Sequence, residues 1–333
     1  MASQAARPNA AQAWGPTGYC GRPCPPEREP AISIRADRTA PAPARTAAAI
    51  GIAILTFWLF SSLDAVVKAL SARYPVLQLT FVTSLIAFVP ILVLVARSGG
   101  PRSVVPRRPG LVALRALLMT ADTMLAFASF RYLPLAEAYT LFFAAPMLMT
   151  ALSAALLGER VGWRRWSAVV AGFCGVLVIL RPGFAALDVG HVAAIAAALC
   201  FALSAIVLRR LGEGESGGAL LLSTMAGLVL ATGPALPFVY RQPTAEDLAL
   251  MALGGLLAGL GHIGLVKAFR MAPAAVIAPF QYTQILWALL YGWVVFADVP
   301  RPSTLVGAGV IVGSGLYILW RETRLGRRSF TGP

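Results

Sequence analysis

The chain has 333 residues, 58% of them hydrophobic and 13% charged, with a mean hydropathy of +0.74. So little charge cannot cover the surface of a soluble protein of this length, which excludes a water-soluble enzyme or binding domain. The formal net charge is +14, from 28 Lys and Arg against 14 Asp and Glu. The arginines stand between apolar runs of membrane-spanning length, so they report orientation, and no nucleic-acid partner is implied.

Residues 1–46 are rich in Ala, Pro and Arg, lack an apolar period, and are expected to form a disordered cytoplasmic tail. They do not read as a secretory signal, because the first apolar run comes late, is too long, and is followed by no clear cleavage site. Cys20 and Cys24 have no second pair to complete a metal site, and Cys174 and Cys200 lie in apolar runs, so no metal or cofactor is expected.

From there the sequence predicts an all-α polytopic membrane protein. Apolar runs of about 17 to 25 residues, the length that crosses a bilayer, place about ten spanning helices. They fall near 48–70, 76–96, 111–131, 134–157, 163–181, 188–209, 217–240, 247–268, 273–297 and 303–320. Short connections rich in Pro or Gly separate them, such as "RYPV", "LGERVGW" and "RQPTAEDL". With the N-terminus inside, the inner segments hold 14 arginines: Arg97, Arg102, Arg107, Arg108, Arg160, Arg164, Arg165, Arg209, Arg210, Arg270, Arg321, Arg324, Arg327 and Arg328. The outer loops hold 5: Arg73, Arg131, Arg181, Arg241 and Arg301. That bias predicts that both termini face the cytoplasm.

The chain also repeats. "FRYLPLAEAYTLFFAAP" begins at Phe130 and "FRMAPAAVIAPFQYTQ" at Phe269, an offset of 269 − 130 = 139 residues, and Glu159 then falls opposite Asp298. Five helices per half is an odd number, so the two halves are expected to sit inverted in the membrane. Inverted repeats are a signature of secondary transporters with a midplane site between the halves.

These residues resemble the EamA family of the drug/metabolite transporter superfamily. The likeness is carried by "PLAEAYTLFFAAPMLMTALSAALLGERVGWRRWSAVVAGFCGVLVILRPG" from Pro134 and "APAAVIAPFQYTQILWALLYGWVVFADVPRPSTLVGAGVIVGSGLYILWRE" from Ala272. The "DAVVKAL" that opens at Asp64 is similar to the first helix of bacterial members, and the likeness covers roughly 50–322. The resemblance implies ten helices in two inverted five-helix repeats, here 47–183 and 184–322, followed by a basic cytoplasmic tail 323–333. It also implies a bacterial inner-membrane carrier of small polar metabolites, with no enzymatic activity. One departure is Thr83, which stands where many similar bacterial sequences carry an arginine.

Polar residues inside the spans are the candidates for contact with a solute or for coupling to protons. Asp64 and Lys68 are four residues apart on one helical face near the outer end of the first span. Two readings fit them: an interfacial ion pair, or the outer mouth of a solute pathway. Arg115 and Asp122 share a face of the third span, with Asp122 near its middle and Arg115 toward the cytoplasmic end. Glu137 opens the fourth span at the outer side. His262 follows Gly255 and Gly259 at helical spacing, where it serves either as an interhelical hydrogen-bonder or as a ligand or proton contact. Gln281, Gln284 and Tyr291 are expected on one face of the ninth span, suited to a zwitterionic or heteroaromatic solute. Pro146 and Pro279 interrupt the fourth and ninth spans as candidate hinges.

Gly172, Gly175, Gly307, Gly309 and Gly313 read as packing positions, with a GxxxG-like contact at Gly309 and Gly313 that makes a candidate homodimer face. The chain holds no P-loop, HExxH or GxSxG pattern. The function expected is therefore a secondary transporter of a small polar solute. A membrane scaffold or sensor on the same fold is the alternative.

Overall fold

The structure, a computed structural model, describes residues 43–98, 105–158, 162–180, 188–212, 215–272 and 274–328. Cys20, Cys24, Arg102, Glu159, Arg160 and Arg181 lie outside these residues, as do the side chains of Arg165, Arg321, Arg324, Arg327 and Arg328. The described residues are helical throughout, with no strand among them. In chain order the helices are α1 Pro43–Ser71, α2 Val76–Ser98, α3 Pro109–Phe130, α4 Leu135–Phe142, α5 Ala145–Leu157, α6 Trp163–Leu180 and α7 Val189–Leu211. They continue as α8 Gly217–Thr232, α9 Leu236–Val239, α10 Ala245–Met271, α11 Ala274–Ile277, a 3-10 turn Ala278–Tyr282, α12 Thr283–Phe296 and α13 Pro302–Arg328.

Six segments are long and apolar enough to cross a bilayer: Ala44–Ser71, Val76–Arg97, Pro109–Phe130, Leu135–Leu157, Val189–Leu211 and Ala245–Met271. Trp166–Leu180, Gly217–Thr232 and Pro302–Ile318 are shorter apolar helices. The expectation of about ten spans is met to that extent, and the segment 274–296 is broken into pieces too short to cross singly. Two boundaries also move. Helix α1 starts at Pro43 inside the expected 1–46 tail, because proline is pre-organised for a first helical turn and Ala44 to Ala49 are good helix formers. At the other end α13 runs on to Arg328, into the expected 323–333 tail.

Local chemistry sets many of the ends. Asp188 and His191 form a reciprocal capping box at the start of α7. Ser216 accepts the Ala219 amide and Thr244 the Asp247 amide at the starts of α8 and α10. The repeat seen in the sequence reappears in these ends. Helices α4 and α11 start 274 − 135 = 139 residues apart, α5 and α12 end 296 − 157 = 139 apart, and α6 and α13 start 302 − 163 = 139 apart. The connection after α5 and its copy after α12 both begin with a left-handed residue, Gly158 at φ 67° and Ala297 at φ 53°.

Small residues let the helices approach closely, since lipid supplies no hydrophobic force between them. Gly255 and Gly259 of α10 leave no room for a side chain against Thr83, Ile86, Ala87 and Pro90 of α2, and Gly261 and Gly264 press on Phe60 and Thr56 of α1. Gly172, Gly175 and Gly307 pack the α6–α13 seam as expected. Gly309 and Gly313 do not: nothing lies within 4 Å of either, because that face of α13 turns away from α6. Apolar side chains cover the outside, Trp58, Val89, Leu117, Phe173 and Trp293 among them, as a lipid solvent requires.

Polar bonds gather at the two ends of the bundle. At one end, Lys68 Nζ meets Asp298 Oδ2 at 3.0 Å and the Leu133 carbonyl at 2.9 Å. Close by, Asp247 accepts from Arg73 at 3.3 Å and from Tyr74 Oη at 2.7 Å, and its bond with Tyr74 raises the Tyr74 hydroxyl pKa. At the opposite end, Glu215 accepts the amides of Arg107 and Arg108, and Arg108 reaches the Arg210 carbonyl.

Candidate functional site

Between those ends lies a cavity of about 240 Å³. Its wall comes from the middle of α1 (Phe60, Asp64), α2 (Thr83, Ala87), α3 (Met119, Asp122), α7 (Phe201), α8 (Thr224, Met225) and α10 (Ala258, His262). The breaks between α4 and α5 and before α12 supply the rest, with Phe143 and Ala145 on one side and Gln281 and Gln284 on the other. Pro146 sits in the first turn of α5 and Pro279 in the first turn of the 3-10 segment. Each lacks the amide that a continuous helix would use, so the chain yields at both places. The interruptions expected at Pro146 and Pro279 are present, and both flank the cavity.

The polar centre is built around Tyr139. Its hydroxyl donates to Asp64, while Ser61 Oγ lies at 3.3 Å and Gln284 Nε2 donates to it at 3.4 Å. With its own proton given to Asp64, the Tyr139 oxygen acts as acceptor for the other two. Asp122 also lines the cavity and has no hydrogen-bond or ion-pair partner among the described residues. His262 Nδ1 is 2.8 Å from the Ala258 carbonyl, which can only accept, so Nδ1 carries a proton and Nε2 is the acceptor of the neutral ring. Phe60 meets the imidazole edge-on at 5.1 Å between centroids.

Thus Asp64, Asp122, His262, Gln281 and Gln284 come together, and four other candidates do not. Asp64 and Lys68 share a helix face but do not pair, because Tyr139 and Asp298 are better-placed partners for each. Arg115 stands behind the wall, donating to Thr224 Oγ1 at 3.3 Å, and makes no bond to Asp122. Glu137, two residues before Tyr139 and on the other side of α4, is buried against His191 Nε2 at 3.2 Å, in a separate polar hollow with Asp188 and Arg301. His191 Nδ1 accepts the Asp188 amide, so Nε2 holds the proton and donates to Glu137. Tyr291 bonds Ser62 Oγ at 2.6 Å and is not among the cavity's described lining residues. Gln284 and Tyr291 stay on one face of α12, but seven residues of helix carry Tyr291 about 10 Å farther along the axis, past the cavity.

Sequence reasoning missed Tyr139 and the aromatic wall of Phe130, Phe142 and Phe143. The signal was available: Tyr139, Phe142 and Phe143 recur at i, i+3 and i+4, one face of a helix. His191 and Asp247 were also missed, each at a helix start where an acid or cap is ordinary.

Known proteins bear on this site. The chain is similar to an S-adenosylmethionine uptake transporter of Rickettsia bellii, 26% identical over 83% of this chain and 94% of the relative. It is similar to a riboflavin transporter of Vibrio cholerae, 28% identical over 81% and 92%, and to the pseudopaline exporter CntI of Pseudomonas aeruginosa, 25% identical over 78% and 92%. One crystal structure superposes with a TM-score of 0.59 at 20% identity, covering 84% of this chain and 99% of its own, which shows a shared fold. The family model for EamA-like transporters matches twice, over residues 47–181 and 188–320, and the chain belongs to the EamA-like transporter family.

Proposed function

We propose that the protein is a secondary active transporter that carries a small polar metabolite across the bacterial inner membrane, without enzymatic chemistry. The observation that carries this reading is the cavity itself. It sits at mid-depth, draws its wall from both matched repeats, and is flanked by broken helices. Such a site suits alternating access by two halves moving about a central solute. In this reading ten apolar segments form two five-helix halves, inverted relative to each other. Asp122, a carboxylate without a partner, is the coupling group, with Asp64 and His262 as further proton or solute contacts. The relatives named for S-adenosylmethionine, riboflavin and pseudopaline support a metabolite-sized cargo and leave its identity open.

The test is transport in proteoliposomes loaded with a metabolite panel, with and without an imposed proton gradient. Wild-type protein is expected to accumulate one chemical class, and Asp122→Asn to insert and fold but lose gradient-driven accumulation. Normal accumulation by Asp122→Asn removes it from coupling. A folded protein that moves nothing, and that no solute stabilises, favours the scaffold or sensor alternative.

A further inference from the structure

The carboxyl groups on the cavity wall face no described lysine or arginine that could balance them. Asp64 and Asp122 both line it, and its described lining residues include no lysine or arginine. The nearest cations, Lys68 and Arg115, are not among its described lining residues. Lys68, one turn past Asp64, is held by Asp298 and the Leu133 carbonyl. Arg115 is outside the lining, with Thr224 between it and the space. His262 spends its Nδ1 proton on a backbone carbonyl and offers the cavity an acceptor.

The apolar part of the wall has its own character. Phe130, Tyr139 and Phe142 meet pairwise, with Phe130–Phe142 and Tyr139–Phe142 edge-to-face at 5.8 Å. Phe143 continues the cluster to Tyr282, at 5.0 Å, and Phe60 closes the side beside His262. Aromatic faces carry negative quadrupole potential, and several converging on one space form the box that attracts organic cations. Carboxylates and ring faces therefore pull the same way. An anionic solute would find no lysine or arginine among the described lining residues, and a hydrated metal ion would waste the rings.

We propose that the cavity selects organic cations with a flat or apolar body, the positive charge lying between Asp64 and Asp122 and the body against the aromatic cluster. This rests on the transporter reading above and narrows its cargo. Gln281 and Gln284 supply neutral donors and acceptors for polar substituents on such a body.

A matched series tests it: 1-methylnicotinamide, nicotinamide and nicotinate share a ring and differ by charge of +1, 0 and −1. Binding to purified full-length protein is followed by calorimetry and thermal stabilisation at neutral pH. Preference for the cation over nicotinamide by about tenfold is expected, with no stabilisation by nicotinate. Asp64→Asn and Asp122→Asn should each lower cation affinity about tenfold or more and leave nicotinamide little changed. Equal or tighter binding of nicotinate overturns the proposal by showing that Arg115 dominates the cavity, and so does the absence of cation binding at millimolar concentration. The wild-type series decides even if one variant fails to fold. Uptake of the same compounds into proteoliposomes separates the two ideas. Movement of neutral or anionic solutes but not cations leaves the transporter reading standing and removes this one. Acid-dependent cation binding with no movement does the reverse.

Discussion

Tyr139 shows how one hydroxyl organises the polar centre of a mostly apolar bundle. It donates to Asp64 and accepts from Gln284, and its ring packs on Phe130, Phe142 and Phe143. Tyr139→Phe keeps the ring and removes the oxygen, leaving a carboxylate and an amide without their partner. A loss of about 1–3 kcal/mol is expected in thermal or denaturant unfolding, together with weaker solute binding. Asp122→Asn is predicted to behave oppositely: with no partner to lose, stability should change by less than about 0.5 kcal/mol while transport falls at least about tenfold. Ala297 is a third case. It holds the left-handed conformation that Gly158 holds in the other repeat, so Ala297→Gly should stabilise by about 1 kcal/mol, read as a raised unfolding midpoint. At this scale the sequence was legible where chemistry is rare. An acid in mid-span, such as Asp122, stands out, whereas one tyrosine among 24 aromatic Phe and Tyr residues does not.

Helix by helix, the glycines and prolines do the positioning. Gly255 and Gly259 let α10 lie against α2 so closely that a Cβ at either would meet backbone oxygens of Thr83 or Ala87. Gly255→Val should therefore cost about 1–3 kcal/mol or prevent folding, whereas Gly309→Val, facing open space, should be tolerated; detergent-solubilised yield and unfolding midpoint check both. The breaks at Pro146 and Pro279 are element-scale features of function. Pro146→Ala permits a continuous α4–α5 helix, and the expected result is a slower transport rate at unchanged solute affinity. The prolines that break helices were readable in advance because a missing amide is a local property. The pairing of Tyr291 with Ser62 outside the cavity was not, since which stretch of α12 faces the space is set by how the helices pack.

The whole molecule is held at both ends by bonds between its repeats, Arg107 and Arg108 to Glu215 at one and two side-chain pairs at the other. Lys68 belongs to the first matched repeat and Asp298 to the second, and Tyr74 and Asp247 are divided the same way. Asp298→Ala should cost about 1–3 kcal/mol, below the cost of a fully buried pair because Asp298 is 32% exposed. The exchange Lys68→Asp with Asp298→Lys should recover part of that loss in the same unfolding assay, and no recovery would show that the Leu133 contact is the stronger anchor. The arginine bias predicts that reporters fused to either terminus report the cytoplasm.

By itself the sequence determined the solvent and the grammar of this protein. Sustained apolar runs require a bilayer, loop arginines give an expected orientation, the 139-residue offset marks a repeat, and proline removes an amide wherever it stands. Each is a property of composition or of spacing along the chain. Only the tertiary structure decided which charges pair: Lys68 with Asp298 and not Asp64, Glu137 with His191, Asp122 with neither. Partners more than 50 residues apart are chosen by helix packing. In a low-dielectric interior the well-placed partner wins over the one nearest in sequence.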